Sequence, residues 1–253
     1  MKILVDYDSL LYAALYRVVS ISQLKGLLKK YNKESVRQMV ILEANERLSN
    51  MCLNILTKIS DSGFNFDSND VEYYLTSNIF SYRKKISQTY KANRTRNKWV
   101  IVLKEYIIAN ENCNYSLEWE SDDLIADRAK ELKYDCVIAT IDKDLNQIQG
   151  WKFDLYKQKT GEVSERGIEI KEYRGLRYVD KVEAKKFIWL QMLTGDTSDN
   201  ITGIKGVGPV KANKMLNGNC FFIPVARAYK NEFGENWKDI FRVNYRLLKI
   251  GNL

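Results

Sequence analysis

Short apolar runs that end in acids alternate along the chain with longer stretches whose apolar positions recur at helical spacing. The first run, "KILVDY" (Lys2 to Tyr7), reads as a buried strand. From Ser9 to about Leu28 the spacing is helical, with Ser9 placed as a cap. "ESVRQMVILEANERLSNMCLNILTKI" predicts a long amphipathic helix with a core face of Val36, Met39, Val40, Leu48, Met51, Ile55 and Ile59. After the loop "DSGFNFDSND", "VEYYLTS" (Val71 to Ser77) predicts a second strand. "VIVLKEYII" starts a helix, "SDDLIADRAKEL" opens another, and "CVIATID" (Cys136 to Asp142) is a further buried strand. "WKFDLYKQKTGEVSE" predicts two strands with a turn at Thr160-Gly161, and "KVEAKKFIWLQMLTG" an amphipathic helix. From Cys220 onward the pattern is mixed and specifies little. Such alternation predicts an α/β fold: a mostly parallel central sheet with helices on both faces, then a helical extension.

Composition narrows the chemistry. Of 253 residues, 45% are hydrophobic, enough for a packed core. Lys+Arg outnumber Asp+Glu by 40 to 32, a formal charge of +8, which favours a polyanionic partner. With no histidine, a Ser-His-Asp triad, a Cys-His pair and an HExxH zinc site are all excluded. Proton transfer falls to carboxylates, Lys, Tyr or metal-activated water. The four cysteines are widely separated, without a CxxC pair, so a zinc site or disulfide framework has no sequence support. Acids interrupt the apolar N-terminal stretch, arguing against a signal peptide, and no run of about 18 apolar residues suggests a membrane span. The expected setting is cytoplasmic and reducing.

Acids recur where strands end or helices begin: Asp6, the trio Glu120, Asp122 and Asp123, then Asp142 and Asp144, then Asp196 and Asp199. Ligands of open α/β sheets gather at the carboxyl ends of the strands, where Asp6 and Asp142 would meet if their strands are parallel. Each acid alone has a second reading. Ser121 could cap a helix whose first turn carries Asp122 and Asp123, Asp144 could begin a turn, and Asp196 or Asp199 could cap. Together they repel one another unless a cation is present, and hard divalent ions prefer such oxygen ligands. Asp8 carries less weight, as a cap of the first helix.

The stretch "YRKKISQTYKANRTR" interleaves Arg83, Lys84, Lys85, Lys91, Arg94 and Arg96 with Tyr82 and Tyr90. It is either a solvated face or a phosphate-binding surface with stacking tyrosines. "GIKGVGPVKANK" places Gly203, Gly206 and Gly208 before Pro209. A tight turn into a helix start offers backbone N–H groups to phosphate, with Lys205, Lys211 and Lys214 in reinforcement.

The segments "ILVDYDSLLYAA", "YRKKISQTYKANR", "ESDDLIAD", "TIDKDL" and "TGDTSDNITGIKGVGPVKANKML" together resemble the flap endonuclease and 5′-3′ exonuclease family, especially its short phage members. The resemblance runs from Met1 to about Leu216. It implies an α/β nuclease domain over residues 1–180 and a helical DNA-binding region with a helix-three-turn-helix over 181–253. It also implies two magnesium ions, replaceable by manganese. Asp6, Glu120, Asp122 and Asp123 would surround one, and Asp142, Asp144, Asp196 and Asp199 the other. Lys91 and Arg94 would contact the scissile phosphate and Tyr90 would stack near the displaced nucleotide, with Arg83 and Lys84 in the same basic motif. A potassium ion is expected at the helix-three-turn-helix, where Lys205, Gly206, Gly208, Lys211 and Lys214 would hold DNA. The implied partner is DNA with 5′ ends, flaps or nicks, or an RNA–DNA hybrid, bound by a monomer in the cytoplasm, or the host's if phage-encoded. Where the family carries a metal-binding aspartate after the second strand, this chain has Asn78. A catalytically weakened 5′-junction-binding protein and a smaller PIN-type ribonuclease are the competing readings.

Overall fold

The computed structural model describes residues 1–253 except 17, 19–26, 80–81, 96, 155–174, 219 and 252–253. Arg96, the Thr160-Gly161 turn and most of the stretch from Tyr16 to Leu28 therefore lie outside or at the margin of the described residues.

Among the described residues the main sheet has six strands: β1 (Lys2–Asp6), β2 (Val71–Thr76), β3 (Asn114–Ser116), β4 (Cys136–Thr140), β5 (Gly150–Asp154) and β6 (Leu176–Val179). Their order is β3-β2-β1-β4-β5-β6. All neighbours are parallel except β5 and β6. Strand order therefore reverses beside β1, and the crevice between the ends of β1 and β4 is the topological switch point.

Helices α1 (Asp8–Leu15), α2 (Lys33–Asp61), α3 (Tyr82–Ile86), α4 (Lys98–Asn110), α5 (Ser121–Glu131), α6 (Lys181–Thr194), α7 (Pro209–Met215), α8 (Phe222–Phe233) and α9 (Trp237–Leu248) surround the sheet and extend it, with shorter elements between them. Successive strand residues face opposite ways, so Ile3 and Val5 join the core under α1, α2 and α4, while Leu4 joins the one under α5. A third cluster, built on Leu193, Val207, Val225, Tyr229 and Leu247, holds α6 to α9 together.

Three expectations change. The first helix starts at Asp8 rather than being capped by Ser9, and stops at Leu15, because Tyr16 turns extended (ψ 127°). Met39 is exposed on α2, not core; its neighbour Val40 takes the inward position. The stretch after Cys220, unreadable as a pattern, forms the two helices α8 and α9.

Lys152 is an oddity of β5: only 3% exposed, its ammonium lies 3.4 Å from Gly150 O. Burial pulls its pKa down to about 8. The buried cation costs stability below that pH, and the cost disappears as pH rises from about 8 towards the unfolded value near 10.4. Lys152→Met is thus expected to stabilise the fold by about 2 kcal/mol at pH 7, with the gain shrinking in melts at pH 9 to 10. A gain independent of pH would mean that the charge is not the cause.

Candidate active site

The carboxyl ends of β1, β2 and β4 and the N-terminus of α5 surround a cleft of about 400 Å³, bordered on the other side by α4 and the basic stretch. Asp6 is the last residue of β1. It accepts hydrogen bonds from Ser9 Oγ (2.5 Å) and Thr140 Oγ1 (2.8 Å), and more weakly from Ser121 Oγ (3.4 Å). Burial, then the charges of Asp8 and Asp142, push its pKa up to about 7. The parallel pairing of β1 and β4 thus brings Asp6 and Asp142 to one place, as the sequence pattern required.

Glu120, Asp122 and Asp123 bring one oxygen each to within 4.8 Å of one another at the start of α5. The helix is capped by Glu120 and not by Ser121, and Glu120 N–H donates to Asp123 Oδ2 at 3.2 Å. Ser121 instead donates to Asp8 (2.9 Å), tying α1 to α5. Burial and the neighbouring Asp123 raise Asp122 well above the carboxylate range. Burial works on Glu120 too, but the nearby Lys91 and Arg83 cations bring it below its usual value.

Asp142 accepts from the Asp144 N–H (2.9 Å), and Gln191 of α6 donates to Asp144 at 2.7 Å. Burial and Asp142 push Asp144 up to about 7. Asp196 and Asp199 lie on the turn that joins β7 (Gly195–Asp196) to β8 (Ile201–Thr202). Asp196 accepts from Ser198 Oγ (2.6 Å) and pairs with Lys143 (2.9 Å), and these partners hold its pKa low despite burial. The one proton of the Tyr90 hydroxyl is shared between Asp199 (2.9 Å) and Glu120, and Arg94 binds the same Asp199 carboxylate. Lys91 bonds Glu120 and sits 3.8 Å from Asp199, spanning the two groups of acids.

Several expected residues stand elsewhere than their roles require. Tyr90 is 3% exposed; its ring packs in the third core and its hydroxyl donates to Glu120 (2.8 Å), so it has no free face for a base. Arg83 is 2% exposed, bonded to Glu120, Asp123 and two main-chain carbonyls, and is closed to a phosphate. Asp123 accepts from both Arg83 Nη atoms and from the N–H groups of Glu120 and Gly251, which leaves its oxygens little capacity for an ion. Asn78 lines the cleft but donates its amide to Ile101 O at 3.1 Å. Lys84, Lys91 and Arg94 do line it. Lys205, Gly206, Gly208, Lys211 and Lys214 form an exposed strip at and before α7. Gly206 takes φ +70°, the left-handed turn that favours glycine.

Sequence reasoning underrated Asp8. It pairs with Lys104 of α4 and accepts from Thr76 N–H (2.9 Å); burial raises its pKa, but Lys104 and Thr76 bring it below the ordinary value. The two-residue repeat Asp6, Asp8 at a strand end was the available signal; Lys104 had none.

The donor set is all oxygen, clustered and self-repelling, and fits hard divalent cations. Protons would compete with any such cation for Asp6 and Asp144. Both have folded pKa values raised above the unfolded ones, so ion-free stability is expected to fall as pH climbs from about 4 to about 7. Divalent-ion affinity should rise about tenfold or more from pH 6 to 8. Calorimetric titration with manganese across that range checks this; a flat profile would contradict it.

No protein-family model matches the chain. A flap endonuclease Xni of Shewanella loihica is 23% identical over 222 residues, covering 81% of this chain and 80% of that one. A 5′-3′ exonuclease of Mycoplasma pneumoniae is 25% identical over 228 residues, covering 85% and 70%. A DNA polymerase I of Rhizobium leguminosarum is 29% identical over 147 residues; these are 54% of this chain but 14% of the polymerase, so the chain spans only a small part of that relative. Among solved structures, a T5 5′-exonuclease with bound zinc superposes with a TM-score of 0.55 at 13% identity, covering 98% of this chain and 87% of that one. A bacteriophage T5 flap endonuclease in a complex with DNA and metal ions gives 0.53 at 14% identity, covering 97% and 86%. These structures share the fold, and in sequence the chain is similar, at 23–25% identity over most of its length, to proteins named flap endonuclease and 5′-3′ exonuclease.

Proposed function

We propose that the chain is a magnesium-dependent 5′-3′ exonuclease and flap endonuclease that hydrolyses phosphodiester bonds near DNA 5′ ends, in replication or repair. The observation that carries the reading is Lys91: its ammonium reaches Glu120 on one side and Asp199 on the other, within a basin of acids at the switch point. In this reading Asp6, Glu120 and Asp122 hold one ion, and Asp142, Asp144, Asp196 and Asp199 hold the second, with Asp123 left to structural work. When bound, such ions supply Lewis acidity toward the attacking water and the departing oxygen. Lys91 and Arg94 meet the scissile phosphate and offset the charge that grows on it. Lys205, Lys211, Lys214 and the Gly206–Gly208 turn hold the duplex by its backbone, without reading sequence.

The test is a 5′-flapped or nicked duplex, labelled at the 5′ end and incubated with magnesium or with chelator. Products with 5′ phosphates are expected in magnesium and none in chelator. The absence of metal-dependent release at every protein concentration would leave the reading without support and favour a junction-binding protein.

A further inference from the structure

The end of α9 and the residues after it bond to Arg83 and Asp123 on one side of the acid centre and reach Asp144 on the other through Gln147 and Gln191. All five N–H donors of the Arg83 guanidinium are engaged. Nε donates to Leu247 O (2.9 Å) and Nη2 to Lys249 O (2.9 Å). The remaining donors go to Asp123 (2.6 and 2.8 Å) and Glu120 (2.9 Å). Gly251 N–H closes the loop by donating to Asp123 Oδ1 at 3.0 Å. On the opposite side, Gln147 donates to Leu248 O (2.7 Å) and accepts from Ile250 N–H (3.3 Å). The same amide donates to Gln191 (2.8 Å), and Gln191 donates to Asp144 (2.7 Å). Gly251 is fitted to this place: its φ is +81°, and a Cβ there would meet Ala126 and Asp127 of α5 at 3.2 Å.

We infer that Leu247–Gly251 is a strap that sets the spacing between Glu120 and Asp144, with Arg83 and Gln147 as the positioning residues that transmit it. The inference rests on the metal-binding reading above. Neither Arg83 nor Gln147 touches substrate in this account. Arg83 aims Glu120 by a direct bond and Gln147 aims Asp144 through Gln191, and outer partners of this kind change metal affinity by about 10–100-fold when removed. The strap also explains why Asp123, an acid inside the cluster, is saturated by N–H groups: it is the anchor of the strap on α5.

The experiment is manganese binding followed by paramagnetic resonance, on the wild-type chain and on Arg83→Lys and Gln147→Met. Arg83→Lys keeps the charge but loses donors to the strap; Gln147→Met keeps the volume and loses the amide. Each is expected to weaken one class of manganese site about 10–100-fold and leave the other nearly unchanged. Hydrogen exchange on the wild-type chain gives a second reading that needs no variant. If the strap positions the acids, manganese must in turn slow exchange at the Ile250 and Gly251 amides, because coupling between sites is reciprocal. Folded variants with wild-type affinity would overturn the strap alone, as would exchange rates indifferent to manganese. A wild-type chain that takes up no manganese would overturn the metal reading and the strap's role together.

Discussion

Replacing Asp142 with asparagine is expected to lower magnesium-dependent cleavage by about 10²–10³-fold or more while leaving duplex binding within about twofold. The asparagine oxygen can still accept the Asp144 N–H that Asp142 accepts at 2.9 Å, so the turn after β4 keeps its start. Only the charge is lost. That charge is one of those that raise the pKa of Asp6 and Asp144, so the melting temperature in chelator should hold or rise. Magnesium should then raise it less than in the wild-type chain, because the stabilisation a ligand gives grows with the logarithm of its affinity. Cleavage and duplex binding that fall together would show that Asp142 serves the fold or the grip rather than the ion.

The second large effect concerns Lys91. Burial opposes its charge, yet Glu120 and Asp199 hold the ammonium above the ordinary lysine value. Lys91→Met keeps most of the packing and removes the cation. Cleavage should fall about 10²–10³-fold in kcat with little change in KM, since the loss is felt where charge builds on the phosphate. At the same time Glu120 loses a counter-ion and becomes a freer ligand, so manganese should bind more tightly, not less. A variant that loses cleavage and metal together would place Lys91 in the scaffold of the site and not in the chemistry.

Much of the architecture was legible because it depends on local pattern. Asp6 and Asp142 could be placed together from two apolar runs and the expectation of parallel strands. α5 and α6 could be read from their spacing and acids. What could not be read depended on tertiary partners. Tyr90 in a basic run has the same sequence signature whether its ring faces solvent or a core, and here Met192, Leu193 and their neighbours decide for the core. Arg83 looked like a phosphate ligand because its charge is visible in the sequence, whereas Asp123 and the carbonyls of Leu247 and Lys249 are far from it along the chain. α9 was unreadable for a related reason: its apolar face includes aromatic residues that pack on Trp189 of α6, and nothing near them in sequence announces that partner.

The distances along the chain between bonded groups of the centre have a further consequence. Asp6 and Thr140 are separated by 134 positions, Tyr90 and Asp199 by 109, and Arg83 and Leu247 by 164. Closing loops of this length precedes any reward from the contacts they permit, which places such proteins among the slower folders. A newly made chain would therefore hold helices long before it holds a working centre. Hydrolytic power would arrive abruptly, with the last long-range contacts, and would vanish with the first of them to open.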